Sequence, residues 1–341
     1  MPLTTDEVPK MNSRRLYLSL LVAAVLVAAA ALIATRSCNN NHNGGETSTT
    51  VPIGYSRLRI SLPLFVAQEQ NLFQKHGVSV TLQMYETAQP MMQSLVEGKI
   101  NVAGYTALPI TYNAIQRSNN SLYFATALLE DQKHRISYLL RKKGSNIKTI
   151  DDLRGKKVGI LPTIAYKAWL QEILRANKVN PESVVIQQVA PEIEVSSLNS
   201  GGIDALFTND PVATAAIAKG AGELITDFVE VPKYFGEPFL FGSFNARKDW
   251  ADAHPSEFTA IVAALDEAVE FVNQHPAEAK QYMRKYIPSQ FSDQVALYPD
   301  ASYLKSTETT KDMFQKEADA EFKIGIISSG FDVDSLIYHA K

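Results

Sequence analysis

Cysteine is nearly absent from this sequence, with Cys38 the only one. No disulfide can close within one chain, so the cores alone must hold the fold. The six histidines, at positions 42, 76, 134, 254, 275 and 339, are scattered. None has the spacing of a metal-ligand set, and we expect neither a metal nor a cofactor. There is no His-Glu-x-x-His, no Gly-x-Ser-x-Gly, no Walker loop and no Gly-x-Gly-x-x-Gly. The familiar hydrolytic and nucleotide-binding signatures are thereby missing, and no catalytic residue is expected. Surplus charge is scarce too. Lys and Arg number 33 against 36 Asp and Glu, a net charge of −3. That balance offers no field to attract nucleic acid.

What is present is an ordinary globular composition, 45% apolar and 20% charged over 341 residues, enough for about two domains at ~100–200 residues each. The N-terminus stands apart. Arg14-Arg15 precede an apolar run from Leu16 to Ala34, followed by Arg36 and a polar tract, Asn39 to Thr50. Residues 1–37 thus read as an export signal or as a retained anchor near the ~20 residues that span a bilayer. Met11 offers a second start. Cys38 sits where a lipoprotein carries its acylated cysteine, although Arg36 departs from the usual lipobox. Lipid attachment and a plain thiol both stay open. Residues 38–52 form a flexible tether.

The rest of the chain is organised like the stretch Thr149–Leu174. Thr149 with Asp152 has the form of a capping box, and Gly155 marks the stop. Lys157–Ile160 is a short apolar run for a buried parallel strand. Pro162-Thr163 then opens a helix whose Ala165, Trp169, Ile173 and Ala176 share one face. A strand running straight into a helix N-terminus presents free backbone N–H groups at a sheet edge, where open α/β folds bind ligands. We expect five such elbows: Ser61/Pro63, Thr87/Pro90, Thr106/Pro109, Pro162/Thr163 and Asn209/Asp210/Pro211. Around them the pattern predicts strands at Leu58–Ile60, Val78–Met84, Ile100–Ala103, Leu122–Leu128, Val184–Val189 and Ala205–Phe207. Two crossing strands, one within Glu130–Lys143 and one at Phe239–Asn245, join the halves, and only helices follow. Glu130-Asp131 and Arg141-Lys142-Lys143 read as solvated flanks of the crossings. A local repeat links the halves, Gly98-Lys99-Ile100-Asn101-Val102-Ala103 against Gly201-Gly202-Ile203-Asp204-Ala205-Leu206.

If the elbows share a cleft, the candidate ligand contacts are Ser61, Leu62, Thr87, Gln89, Thr106, Pro162, Thr163, Asn209 and Asp210. Tyr105, Tyr166 and Phe239 are candidate walls. Helix dipoles there favour an anion, while Asp210 favours a ligand that donates hydrogen bonds. Capping is the simpler role for each Ser, Thr, Asn or Asp taken singly.

In order and spacing, Val66–Val80, Leu95–Ala103, Ile150–Ile160 and Gly201–Pro211 resemble the type II periplasmic binding proteins of ABC importers. The likeness is greatest to their nitrate/sulfonate/taurine and thiamine-pyrimidine-precursor group. The resemblance implies an α/β fold of two lobes with a two-strand hinge, lobe 1 from 53–138 and 246–341 and lobe 2 from 139–245. It implies a solute-binding role, trapping a small nitrogen- or sulfur-containing compound. The partner implied is an ABC permease, and the place is the periplasm or the outer face of the cytoplasmic membrane, tethered or secreted. Asp210 falls at a cleft-lining position of the group. Many members have Trp-Glu-Pro where this chain has Asn209-Asp210-Pro211, so an aromatic wall is lost. An enzyme on the same fold and an anchored ligand sensor are the alternatives. The cysteine-rich motif of the pyrimidine synthases that share the fold is absent.

Overall fold

The computed structural model describes residues 50–118, 121–330 and 332–339. The apolar run Leu16–Ala34, Cys38 and most of the expected tether lie outside them. Among the described residues no helix is long and apolar enough to cross a membrane.

Two sheets are built on one plan. The first contains β1 (Val51–Ser56), β2 (Val80–Tyr85), β3 (Val102–Ala107) and β4 (Leu122–Glu130). The second contains β5 (Ser137–Lys142), β6 (Lys157–Ile160), β7 (Val185–Gln188), β8 (Ala205–Asn209) and β9 (Gly222–Leu224). The chain then returns to the first sheet with β10 (Phe239–Arg247) and β11 (Ser302–Leu304). Strand orders are β11-β4-β10-β3-β1-β2 and β7-β6-β8-β5-β9. In each sheet three parallel strands, β2-β1-β3 and β7-β6-β8, meet an antiparallel strand that belongs to a crossing, β10 and β5 respectively. Helices between parallel strands bury the inner strands β1, β3, β6 and β8, whereas the edge strands β2 and β7 stay partly exposed.

The repeat seen in the sequence has a packing basis. Gly98 and Gly201 both take a left-handed backbone, φ +71° and +81°, a conformation that costs glycine little. Ile100 and Ile203 then bury fully. Each lies over a glycine of the neighbouring strand. A Cβ at Gly54 in β1 would stand 2.8 Å from the Ile100 δ-methyl, and one at Gly159 in β6 would stand 2.5 Å from that of Ile203. Gly54 pairs with Ala103 and Gly159 with Leu206, equivalent places in the two sheets.

Several expected elements move. The first strand is Val51–Ser56, and Leu58–Ile60 is instead the elbow after it, entering a single 3₁₀ turn over Arg59–Ser61. Pro52 and Gly54 interrupt the apolar pattern of the true strand and hide it. Thr106 lies inside β3, and the following helix starts at Leu108. Helices do not make up all of the C-terminal part, since β11 pairs antiparallel with β4. Glu130 is not solvated. It is fully buried and accepts from the N–H groups of Ile136 and Ser137 (2.7 and 2.5 Å) and the Ser137 hydroxyl, tying the end of β4 to the start of β5. Burial raises its pKa above the usual carboxylate range, against those hydrogen bonds. The return crossing ends beside it, where Phe239 pairs with Glu130.

Candidate functional site

The elbows converge. One cleft is lined from the first sheet by Leu58 and Ile60 after β1, Thr87 and Ala88 after β2, Ala107 at the end of β3 and Ile110 after it. The second sheet supplies Leu161, Thr163 and Tyr166 after β6 and Asn209 at the end of β8, with Phe241 of β10 at the back. All are buried, Thr87 and Thr163 being only 4% and 6% exposed. The cavity measures about 20 Å³, where roughly 10–15 Å³ admits one water. The halves are nearly shut, and a larger guest requires them to part.

Polar groups in the cleft divide by whether their bonding is already met. Thr163 Oγ1 accepts from Tyr166 N at 3.3 Å, a conventional N-cap. Thr87 stands at the same position of the helix Ala88–Val96 yet makes no cap bond, which leaves the first N–H groups of that helix open. The Tyr166 hydroxyl and the Asn209 Oδ1 are buried without partners, each residue 2% exposed. The Asn209 amide neighbours the Tyr166 hydroxyl without reaching hydrogen-bond geometry. Burial raises the Tyr166 pKa well above its usual value, so the ring keeps its proton and can donate. Such orphaned buried groups are uncommon in natural folds and concentrate where something else binds.

Asp210 has a different task. Its carboxylate lies 3.1 Å from Arg59 Nε, accepts from Tyr138 Oη at 3.1 Å, and caps Thr214 N at 3.0 Å. The Arg59 N–H points off the oxygen, so the contact is an ion pair without a formal hydrogen bond. Arg59 reaches further, donating to Pro299 O at 3.0 Å and to Arg135 O in the crossing. Its backbone N–H donates to Asp210 O at 3.1 Å. Burial works against the guanidinium charge, but Asp210, Tyr138, Tyr303 and Glu130 together outweigh it and the Arg59 pKa rises. The pair joins the two halves beside the cleft, with the Asp210 carboxylate fully engaged and Arg59 held by its ion partner and two carbonyls.

Of the residues singled out from sequence, Thr87, Thr163, Tyr166 and Asn209 come together. Others turn inward. Ser61 donates to Ser56 O, Tyr105 bonds Thr126 at 2.6 Å, and Thr106 bonds Thr111 and Asn245. Leu62 is core, Gln89 is half-buried in the first turn with Oε1 unpartnered, and Pro162 bends the elbow without lining it. Phe239 packs edge-on against Trp169, and Phe241 two residues on takes the wall. Arg59, Leu58, Ile60 and Phe241 escaped the sequence reading. A lone arginine between two apolar residues, Leu58-Arg59-Ile60, was the available signal for Arg59.

Known proteins resemble this chain in sequence and fold. The bicarbonate transport ATP-binding protein CmpC of Synechococcus elongatus is 27% identical over 276 residues, 76% of this chain and 40% of that protein. The nitrate/nitrite binding protein NrtA of a Nostoc species is 24% identical, over 70% of this chain and 57% of its own length. The chain therefore spans about half the length of these relatives. Among solved structures, the alkanesulfonate-binding protein SsuA of Xanthomonas axonopodis pv. citri superposes with a TM-score of 0.67 at 16% identity. That match covers 85% of this chain and 98% of SsuA. The desulfurization enzyme DSZB has the same fold, with a TM-score of 0.60 at 11% identity, over 84% of this chain and 95% of its own. The two-sheet α/β architecture is that of the periplasmic binding proteins. The profile of the NMT1-like family matches residues 44–288, a span that contains every residue lining the cleft, and the chain belongs to that family.

Proposed function

We propose that the chain is the solute-binding component of an ABC importer, closing on a small solute between its halves and handing it to a permease. One observation carries this reading. Elbows from both sheets meet in a single cleft that is nearly shut, and two crossings side by side connect the halves. That is the arrangement of a clamp, in which closure buries a ligand against both sets of helix N-termini. The relatives named for binding nitrate or alkanesulfonate support the same role. The two sheets with their helices are the moving parts in this reading, the lobe bounds of 53–138 with 246–341 and of 139–245 shifting so that β10 goes with the first sheet and Ser137 with the second. Thr87, Thr163, Tyr166 and Asn209 are its ligand contacts. The segment ahead of residue 50 holds the protein at the outer face of the membrane, by lipid on Cys38 or by its apolar run. A thermal-shift screen against taurine, alkylsulfonates, nitrate, bicarbonate, polyamines and aminopyrimidines tests it. A stabilising solute recovered chemically unchanged supports a binding protein. Conversion of that solute would favour an enzyme, as DSZB is on this fold.

A further inference from the structure

The chemistry of the cleft bears on what it holds, granted that it is the solute site. No charged side chain lines it. Arg59, between the lining residues Leu58 and Ile60, is engaged by Asp210 and two carbonyls. The charges acting most strongly on the Tyr166 hydroxyl are those of the carboxyls Glu130, Glu194 and Asp210. Glu130 and Glu194 are fully buried, and burial raises both, Glu194 to about 8. The surroundings are therefore neutral to negative. An oxyanion would give up its hydration here for one tyrosine hydroxyl and an open helix end, with no cation to balance its charge.

Polar offers are few and of both kinds. Asn209 Oδ1 awaits a donor. Tyr166 Oη–H and the uncapped N–H groups after Thr87 await an acceptor. Leu58, Ile60, Ile110, Leu161 and Phe241 make the remaining wall apolar. We infer that the cleft selects an uncharged, largely apolar molecule with an amide-like end, donor and acceptor together, and discriminates against oxyanions. The amide N–H meets Asn209, its carbonyl meets Tyr166 and the open helix end, and its apolar body meets the aliphatic wall. Specificity follows from the buried groups, because a guest lacking either function leaves one of them unpaired.

Three molecules of one shape separate the possibilities in calorimetric titrations: benzamide, benzoate and benzenesulfonate. Benzamide should bind about tenfold or more tighter than either anion, ~1.4 kcal/mol. Asn209→Leu should remove most of that preference. Tyr166→Phe should weaken benzamide while hardly moving the unfolding midpoint, since its hydroxyl makes no hydrogen bond of full geometry in the protein. Tighter binding of benzoate or benzenesulfonate overturns the inference and leaves solute capture standing. No binding of any of the three at millimolar concentration overturns it as well. In that case a positive shift in the solute screen keeps the clamp reading, and a blank screen removes that too.

Discussion

The two halves share a frame and differ at their elbows. Gly54 under Ile100 and Gly159 under Ile203 are the same joint made twice, at equivalent places in the two sheets. At the strand ends the likeness stops. The β1 elbow turns through Arg59, a cation paired with Asp210 just after β8 in the other half. The corresponding β6 elbow carries Pro162-Thr163 and caps its own helix. Thr87 caps nothing, although it sits where Thr163 does. Frame positions answer to packing, which is similar in both halves. Elbow positions answer to the other half and to whatever enters between, and there the sequences part.

The largest effect should come from the pair that breaks the symmetry. Arg59→Ala leaves Asp210 buried without its ion partner, a loss of about 3–5 kcal/mol in urea denaturation. Adding Asp210→Leu to Arg59→Met should recover much of it. A small effect of Arg59→Ala alone would mean that the halves do not depend on this joint.

Glu194 gives the second half a pH dependence. Its hydroxyl partner Thr208 lies at 2.6 Å, and burial pushes its pKa from 4.5 to about 8. The folded state keeps the proton that the unfolded state has released. Stability is therefore full below pH 4.5 and declines as pH rises through about 8. Glu194→Gln should flatten that decline in stability measured across this window. A slope unchanged by the substitution would place the titrating group elsewhere.

The shared joint should respond equally in both halves. Gly54→Ala and Gly159→Ala each overpack an isoleucine and should cost about 1–3 kcal/mol. A large cost in one and none in the other would break the equivalence. Smaller still is the contrast of the two threonines. Thr163→Ala removes a cap worth about 1 kcal/mol, whereas Thr87→Ala should barely change the melting temperature. Equal losses would show that Thr87 caps after all.

Much of the frame was legible because it rests on local signals. Lys157–Ile160 and the helix from Ile164 lie where apolar runs and the Thr163 cap placed them. The Gly98 and Gly201 stops and the strands after them followed from one repeated motif. Asp210 was the least legible residue. Sequence showed an acid at an elbow, and either capping or ligand contact suited it. It does cap, through Thr214 N, but its main partner lies 151 positions away at Arg59, as their numbers give. Long-range ion pairs leave no local trace. Val51–Ser56 was missed for the opposite reason, since its Pro and Gly carry strong local turn signals that sheet pairing on both sides overrides.

Small-angle scattering, with and without a solute that scores in the thermal screen, tests the clamp most directly. If the protein is a clamp, the free chain opens from the nearly shut form and the solute shrinks its radius of gyration back toward that form, the halves closing about the crossings at 131–136 and 225–238. A radius that stays the same while calorimetry shows the solute bound would contradict it.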